Sequence, residues 1–437
     1  MRDGGRIAAA IDVLDDVLNR RQPVKMAVRD WSKKARYAGA KDRAWVSGLV
    51  LDTLRRRNSL AHAMETSAPR GLVLGGLRHV WGWDLRAIEG ALSDDHAPDA
   101  LSTQEREALL LAPDPSAPPH IQGDFPEWLT PHMARVFGEA AAIESQAMAK
   151  RAAVDLRVNT LKVNAEKAAG PLRSAKAQPS PLLNNAFHLP APDPSQREAS
   201  LDGIPAYSKG WVEVQDAGSQ IAAAAANAKP GQQILDYCAG GGGKTLALAA
   251  HLQGKGQVHA YDVDGRRLSA LIPRLKRSGA HNVQLVHPRE PDALASLEGK
   301  MDIVFVDAPC TGTGTWRRKP DTKWRVSEKN LETRLEQQTE ILAAASAFVR
   351  PGGRLVYATC SFLMEEDEDR VAGFLASKAG EAFAEADAAE TAIASGQLTD
   401  AGAALLRKHR GPKGSVRLTP FRANTDGFFF AVLERAG

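Results

Sequence analysis

The feature that most constrains the fold is a regular alternation of short apolar segments with helical segments after Gly203. Each apolar segment has the length of a buried strand, and the stretches between them have helical character. The predicted strands lie at residues 233–237, 257–261, 283–286, 302–307 and 354–359, and a further strand follows at 427–433. This alternation predicts an α/β fold built on a doubly wound parallel sheet that the late strand completes.

The chain before this region is organised differently. Apolar residues recur at helical spacing near the start, at Ile7, Ile11, Leu14 and Leu18, and a similar spacing continues within 42–57. Two Pro-rich stretches, 112–119 and 189–195, disfavour helix and sheet and are interpreted as linkers. Between them, a helix around 129–149 and an alternating strand at 154–162 predict a small α+β unit. We therefore expect three domains, at 1–118, 119–203 and 204–437.

Composition excludes several classes of protein. The 437 residues contain no apolar run near the roughly 20 residues that a bilayer span requires, and the first residues lack a secretory signal. Cys238, Cys310 and Cys360 are too few for a disulfide scaffold and match no paired zinc spacing. We expect a cytoplasmic monomer without a metal.

Residues 1–60 hold 14 Lys and Arg against 7 Asp and Glu, so the N-terminal end is the basic end.

A glycine-rich turn joins the first predicted strand to a helix within ILDYCAGGGGKTLALAA (234–250). A Walker A loop requires glycine where this chain has Cys238, and a dinucleotide loop requires glycine where it has Thr245. The turn therefore favours a nucleoside cofactor, with Asp262 at the next strand end suited to bind ribose hydroxyls. The alternative is a plain tight turn with a helix-capping acid. The residues assigned to the cofactor are Cys238, Ala239, Gly240, Gly241, Gly242, Gly243, Lys244, Asp262 and Asp307.

The three cysteines all follow predicted strands, at the edge where such sheets bind ligands. A free cysteine is more often a small buried apolar residue than a nucleophile, but Cys310 and Cys360 each enter a polar turn. Two thiols at one site suit methylation of a pyrimidine C5 carbon, which becomes nucleophilic only after a thiolate adds at C6. Asp307 stands three residues before Cys310, where it can stabilise the adduct at N3.

Seven motifs resemble the RsmB/NOP2/Sun family of RNA cytosine-5 methyltransferases. They are LRVNTLK (156–162), VQDAGSQ (214–220), DYCAGGGGKT (236–245), DAPCTGTGTWRR (307–318), YATCS (357–361), EEDE (365–368) and DGFF (426–429). The resemblance covers the chain from about residue 150 to the end and implies a class I methyltransferase Rossmann fold with S-adenosylmethionine as cofactor. The segment 39–57 also resembles a NusB-like helical RNA-binding domain, which implies small-subunit (16S) ribosomal RNA as partner and substrate.

The resemblance also implies roles for individual residues. Cys360 is the nucleophile, Cys310 assists product release, and Lys244 and Asp307 complete the catalytic set. DNA cytosine methyltransferases attack with the cysteine of their Pro-Cys motif, so exchanged roles for Cys310 and Cys360 are the main alternative within this chemistry. Two positions depart from the family: Gly240-Gly241 replace Ala-Pro, and His287-Pro288-Arg289 occupies the stretch where relatives carry an aspartate near the adenine.

RNA-facing residues are expected beside the catalytic loop. The segment WRRKPDTKWR (316–325) combines five basic residues with two tryptophans, which suits phosphate contacts and base stacking, although a solvated basic loop is the simpler interpretation. The residues assigned to RNA are Trp316, Arg317, Arg318, Lys319, Arg157 and Asn159. The acidic run 365–369 is expected to stabilise the start of the following helix and to have no catalytic role.

Other functions stay open at this point. A transfer-RNA cytosine-5 methyltransferase would share the same catalytic motifs. A non-catalytic RNA-binding or assembly factor on the same fold would need neither thiol, so the retention of Cys310 and Cys360 disfavours it. A P-loop NTPase is disfavoured by Cys238.

Overall fold

The computed structural model describes residues 1–112, 114–191, 193 and 203–437. Within them the chain forms two compact units. The first comprises Met1–Ala152, residues 191 and 193, and Thr315–Val326, and the second comprises Ala153–Pro190, residues 203–314 and 327–437. Pro113 of the first predicted linker and Pro192, Pro194 and Ser195 of the second lie outside the described residues. The division into domains 1–118, 119–203 and 204–437 stays a prediction.

The first unit is helical throughout its described residues, as the apolar spacing predicts for its first 118 residues. Its helices are α1 Asp3–Leu18, α2 Val24–Lys34, α3 Ala40–Arg55, α4 Arg57–Ala63, α5 Pro69–Gly75, α6 Leu85–Leu92, α7 Thr103–Leu110, α8 Pro119–Gln122, α9 Thr130–Phe137 and α10 Ala141–Met148, with a π-helical turn at Gly76–Val80. The predicted helix around 129–149 is thus divided into α9 and α10. Apolar side chains of α1, α3 and α5, among them Leu14, Leu49 and Leu72, are fully buried in one core.

The second unit begins with a small antiparallel sheet. In the described residues its strands are β1 Val154–Val158, β2 Gln178–Pro179, β3 Ala186–Leu189 and β4 Val212–Val214, arranged in the order β2-β3-β1-β4. Helices α11 Ala165–Leu172 and α12 Pro205–Ser208 accompany it. The predicted strand at 154–162 is therefore present but ends at Val158. β4 lies beyond the predicted boundary at residue 203 and still belongs to this sheet through its pairing with β1.

A large sheet forms the rest of the second unit. Its strands are β5 Gln233–Asp236, β6 Gln257–Tyr261, β7 Val283–Val286, β8 Met301–Asp307, β9 Val349–Thr359, β10 Phe383–Ala386, β11 Val416–Leu418 and β12 Phe428–Arg435. The helices between and around them are α13 Ala217–Ala224, α14 Gly243–His251, α15 Gly265–Ser269, α16 Leu271–Ser278, α17 Pro291–Ala295, α19 Glu328–Ser346, α20 Glu368–Leu375, α21 Ala388–Ile393, α22 Asp400–Lys408 and α23 Pro420–Ala423. Helix α18 Pro320–Lys323 lies in the Thr315–Val326 segment of the first unit.

The order of strands in the large sheet is β10-β12-β9-β8-β5-β6-β7, and β11 pairs with β12. Strands β9, β8, β5, β6 and β7 are parallel, which confirms that part of the predicted sheet. β12 runs antiparallel to β9, and β10 and β11 run antiparallel to β12, so the described sheet is mixed rather than wholly parallel. The late strand was predicted without a direction, and β10 and β11 were not predicted, because hydrophobic patterning sets which face of a strand is buried but not its direction.

Apolar side chains cover both faces of this sheet. Ile234 and Phe305 belong to the cluster on one face, and Leu235 and Val304 belong to the cluster on the other. Strands buried on both sides explain the continuous apolar runs in the sequence. No helix among the described residues is long and apolar enough to span a membrane. The carboxyl ends of β5, β6, β8 and β9 meet along one edge, and their loops carry the candidate site.

Candidate active site

The glycine-rich turn after β5 folds back on itself before α14. Gly240 and Gly242 have φ values of +51° and +80°, a region that favours glycine. The N–H of Gly242 donates to the carbonyl of Ala239 at 2.8 Å, which closes the turn. A Cβ at Gly242 would lie 2.0 Å from Leu271 Cδ1, whereas a Cβ at Gly243 would meet no atom within 4 Å. The turn therefore packs against α16 on one side and is open at the first residue of α14.

Asp262 follows β6 and binds this turn. Its Oδ2 accepts a hydrogen bond from the N–H of Gly240 at 2.9 Å, and its Oδ1 accepts one from the N–H of Asp264 at 2.8 Å. The side chain is buried. The predicted cofactor acid is thus next to the glycine loop, where it also fixes the loop backbone.

Lys244 and Asp307 bring two loops together. The Nζ of Lys244, in the first turn of α14, lies 2.7 Å from Oδ2 of Asp307 at the end of β8. The same Nζ lies 5.0 Å from the ring centroid of Phe428, and the Lys244 side chain is buried. An ion pair in these surroundings holds the carboxylate in one orientation. Sequence reasoning placed both residues in the site but did not predict their contact.

Buried polar groups lie beneath the glycine turn. Asp236 is fully buried and accepts a hydrogen bond from Thr245 Oγ1 at 2.6 Å, while its Oδ1 has no hydrogen-bond partner in the structure. Burial raises the pKa of Asp236 to about 7. Burial and nearby carboxylates also raise the pKa of the Cys238 thiol well above its usual value. Cys238 is therefore a neutral thiol that shapes the loop.

Cys310 and Cys360 face each other across two adjacent strand ends. Their Sγ atoms lie 3.3 Å apart, within hydrogen-bond distance for sulfur, and both residues are half-buried. The hydrogen bond with Cys360, followed by burial, raises the pKa of the Cys310 thiol well above its usual value. Cys310 is thus held as a thiol that can donate to Cys360 Sγ. The predicted convergence of two thiols on one site agrees with this geometry.

Backbone contacts fix the loop that carries Cys310. The N–H of Gly314 donates to the carbonyl of Cys360 at 2.9 Å, and the N–H of Gly427 donates to the carbonyl of Gly314 at 2.8 Å. A Cβ at Gly314 would lie 2.2 Å from the carbonyl oxygen of Gly427. Three separate segments therefore pack backbone to backbone, which explains the glycines in the DAPCTGTG and DGFF motifs.

The acidic run 365–369 lies only in part at the helix start that was predicted for it, with Glu368 and Asp369 in the first turn of α20. Helix α20 begins at Glu368, and the two residues before it, Glu366 and Asp367, are fully buried. Glu366 binds Thr311 and Asp367 binds Thr359, the residues next to the two thiols. The prediction of a place at the helix start therefore holds for Glu368 and Asp369, whereas Glu366 and Asp367 hold the two thiol turns. The adjacency of this run to the YATCS motif is the only sequence signal of its role.

Four of the six residues assigned to RNA are buried. In the first unit, Trp316 and Arg317 are 1% and 2% exposed, and the carbonyl of Arg317 accepts from Arg55 Nε and Nη2 at 3.0 and 2.8 Å. Direct stacking or phosphate contact by Trp316 and Arg317 does not fit this packing. Arg318 is half-buried and Lys319 is exposed, and the assignment of these two residues to RNA stays a prediction.

The other two have internal partners in the second unit. Arg157 Nε donates to Gln215 Oε1 at 2.8 Å, and Asn159 Nδ2 donates to the carbonyls of Gly210 and Ser278 at 2.9 and 2.8 Å. Burial lowers the pKa of Arg157 to about 10. Both residues join the small sheet to neighbouring loops. Their assignment as RNA contacts is therefore corrected to a structural role.

Comparison with known proteins agrees with this geometry. The 16S rRNA methyltransferase RsmB/F family matches residues 223–434. Ribosomal RNA small subunit methyltransferase B of Enterobacter sp. (strain 638) is 32% identical over 312 residues, which cover 70% of this chain and 66% of that protein. The chain belongs to the RsmB/F methyltransferase family. The RsmB/F match contains the glycine turn, both thiols, Lys244 and Asp307.

Two solved structures share the fold of this chain. The crystal structure of PH0851 aligns with a TM-score of 0.73 at 24% identity, covering 100% of this chain and 99% of that one. NSun6 from Pyrococcus horikoshii with SFG aligns with a TM-score of 0.60 at 22% identity, covering 72% of this chain and 99% of that one. The chain spans 57 to 66% of the length of the curated RsmB relatives it matches first. Within the described residues, no cluster of three or more His, Cys, Asp or Glu is arranged to hold a metal.

Proposed function

We propose that this chain transfers a methyl group from S-adenosylmethionine to C5 of a cytosine in RNA, with 16S ribosomal RNA as substrate. The observation that carries the proposal is the pair of thiols 3.3 Å apart at the ends of two adjacent parallel strands. A methyltransferase whose acceptor atom is already nucleophilic needs no thiol, whereas C5 of a pyrimidine becomes nucleophilic only after a thiolate adds to the ring. Membership of the RsmB/F family supports the same reaction.

The edge of the sheet fits a nucleoside cofactor. Gly243, the first residue of α14, has no atom within 4 Å of the place where a Cβ would lie. The N-terminus of this nine-residue helix favours negatively charged groups. Asp262 is fixed at the neighbouring strand end, where it can accept hydrogen bonds from ribose hydroxyls. We assign the residues 238–244, Asp262 and Asp307 to this cofactor. When bound, S-adenosylmethionine supplies a methyl group on a sulfonium, which is electrophilic.

The first chemical step belongs to Cys360. Its thiolate forms a bond from Sγ to C6 of the cytosine, and the electron pair of the C5–C6 double bond moves toward the ring nitrogen N3 and makes C5 enamine-like. N3 takes up a proton from solvent as this electron pair arrives, and Asp307, oriented by Lys244, is assigned to accept a hydrogen bond from that N3–H and so stabilise the adduct. C5 then accepts the methyl group.

The second step releases the product and belongs to Cys310. After methylation C5 carries both a proton and a methyl group, and the proton must leave. Its removal returns the C–H electron pair to the C5–C6 double bond, and the bond between C6 and Sγ of Cys360 breaks to regenerate the thiolate. Cys310 first loses its thiol proton to solvent, and because its sulfur lies 3.3 Å from Cys360 Sγ, the resulting thiolate is in position to take up the C5 proton.

The helical unit is proposed to anchor RNA, as a NusB-like domain would. Residues 1–60 carry the basic excess of the chain, which favours phosphate contacts whose strength falls with salt. The Enterobacter relative, whose name specifies small-subunit ribosomal RNA, supports 16S RNA over transfer RNA as substrate.

Mapping of 5-methylcytosine tests this proposal. Purified protein is incubated with labelled S-adenosylmethionine and either 16S ribosomal RNA or bulk transfer RNA, and methylated positions are located by sequencing. We expect label in 16S RNA as 5-methylcytosine and none with Cys360→Ala. Label confined to transfer RNA would show that transfer RNA and not 16S RNA is the substrate. RNA binding by the wild-type protein without any label would favour a non-catalytic assembly factor.

A further inference from the structure

Two consecutive acidic residues lie beneath the thiol pair. Glu366 and Asp367 have no exposed surface, and they separate the Cys360 turn from α20. Burying a carboxyl group costs free energy unless hydrogen bonds or charges compensate it. The partners of these two side chains therefore indicate what they are for.

Glu366 binds the residue that follows Cys310. The N–H of Thr311 donates to Glu366 Oε1 at 2.7 Å, and the hydroxyl of Thr311 contacts Glu366 Oε2. A single carboxyl group thus holds both the backbone and the side chain of Thr311. This arrangement fixes the peptide unit that carries the Cys310 side chain.

Gln338 fixes the other side of the same turn. This residue of α19 is fully buried, and its Nε2 donates to the carbonyl of Pro309 at 3.0 Å and to Glu366 Oε1 at 3.1 Å. Cys310 is therefore flanked by two residues whose backbone groups bind one connected polar network. Gln338 Oε1 has no hydrogen-bond partner in the structure, so this residue restrains the turn through the two hydrogen bonds that its Nε2 donates.

Asp367 makes the corresponding contact with the other thiol turn. Thr359 precedes Cys360, and its hydroxyl donates to Asp367 Oδ1 at 2.6 Å and accepts from the N–H of Ser361 at 3.1 Å. Arg417 Nη2 lies 3.2 Å from Asp367 Oδ2 and balances its charge. The two acids are adjacent in the chain, so each thiol turn is tied to the same short segment.

We propose that Glu366 is a positioning residue that acts through Cys310: by holding Thr311 it keeps the Cys310 sulfur against Cys360 and is needed for release of the methylated RNA, not for attack on it. This inference rests on the proposed function. The negative charge of Glu366 also contributes, after the hydrogen bond with Cys360 and burial, to the raised pKa of the Cys310 thiol.

The test is accumulation of a denaturation-resistant protein–RNA complex. Full-length wild-type protein, Glu366→Ala, Glu366→Gln and Cys310→Ala are incubated with 16S RNA and S-adenosylmethionine and resolved on denaturing gels. Glu336→Ala is the matched control, because Glu336 is exposed on α19, the helix that contributes Gln338. We expect Glu366→Ala to turn over at least tenfold more slowly than wild type and to accumulate the covalent complex, as Cys310→Ala does.

The conservative variant separates positioning from charge. In Glu366→Gln the amide oxygen can accept from the Thr311 N–H and the amide nitrogen can donate to the Thr311 hydroxyl. We expect turnover within a few-fold of wild type and little trapped complex. Thr311→Val, which keeps the backbone contact and removes the hydroxyl, should trap an intermediate amount and replaces Glu366→Ala if that variant fails to fold.

Each remaining outcome contradicts the inference in a distinguishable way. Normal turnover by Glu366→Ala, or loss of both turnover and trapping, would overturn the positioning role while leaving the proposed reaction intact if Cys310→Ala still traps RNA. Absence of trapping by Cys310→Ala itself would instead refute the release step on which the inference rests.

Discussion

Lys244 Nζ lies 2.7 Å from Asp307 Oδ2, so helix α14 is joined to the loop that leads into Cys310. Because Lys244 has little exposed surface, removing the Asp307 charge leaves a buried and unpaired ammonium. Removing the Lys244 charge leaves the Asp307 carboxylate without the group that orients it. We expect Lys244→Met and Asp307→Asn each to lower kcat by about 10²- to 10⁴-fold, a range typical of general acid–base groups. The double variant should be no worse than the poorer single variant. Additive losses in steady-state kinetics would show that the two residues act separately, and Lys255→Met, at an exposed position, serves as control.

Asp262 is predicted to contribute to cofactor affinity in two ways, through ribose and through the Gly240 N–H. Asp262→Ala should weaken S-adenosylmethionine binding by about 1.5 to 3 kcal/mol, or roughly ten- to 150-fold. Isothermal titration calorimetry measures this directly. The control variant Asp400→Ala, at an exposed position on α22, should bind S-adenosylmethionine like wild type. Equal affinity of both variants would show that Asp262 does not contribute to cofactor binding.

Gly314 is predicted to tolerate no side chain. A Cβ there would overlap the carbonyl of Gly427, so Gly314→Ala should destabilise the second unit by about 1 to 3 kcal/mol and displace the Cys310 loop. Gly373→Ala is the matched control, because it lies within α20 with no atom within 4 Å of the added Cβ and should be neutral or stabilising. Thermal melting that finds the two variants equally stable would contradict the packing.

Much of this site is predictable from the sequence because its determinants are local. The strands at 257–261 and 283–286 were predicted with their observed ends, since short apolar runs bounded by turn residues leave little choice. Parallel strands end at a common edge, so the meeting of Cys310 and Cys360 follows from the strand prediction itself.

The parts that were not predicted depend on distant packing. Nothing local distinguishes the buried Glu366 and Asp367 from an ordinary acidic helix start. The segment around Trp316 and Lys323 has the composition of an RNA-binding loop, yet most of its aromatic and basic groups pack among helices of the first unit. Lys323, for example, is buried with the carbonyl of Arg55 as its hydrogen-bond partner, and Arg55 lies far away in the sequence.

Lys323 provides a pH-dependent test of that packing. Burial lowers its pKa to about 7, and its Nζ donates to the carbonyl of Arg55 at 2.9 Å beside the Trp316 and Trp324 rings. The folded pKa is below the unfolded value near 10.4, so the unfolded chain binds more protons between about pH 7 and pH 10. Stability should therefore rise with pH in this window, by up to about 1.4 kcal/mol per pH unit from this group. Lys323→Met should remove that contribution in urea unfolding curves, and parallel pH profiles for both proteins would contradict it.

The most direct test of the central claim is the identity of the residue that links protein to RNA in Cys310→Ala. The variant is incubated with 16S RNA and S-adenosylmethionine, the complex is digested with nuclease and protease, and the nucleotide-bearing peptide is located by mass spectrometry. The proposed reaction predicts a methylated cytidine attached to the peptide that contains Cys360, and no adduct in Cys310→Ala/Cys360→Ala. An adduct on any other residue, or one that persists in the double variant, would contradict it.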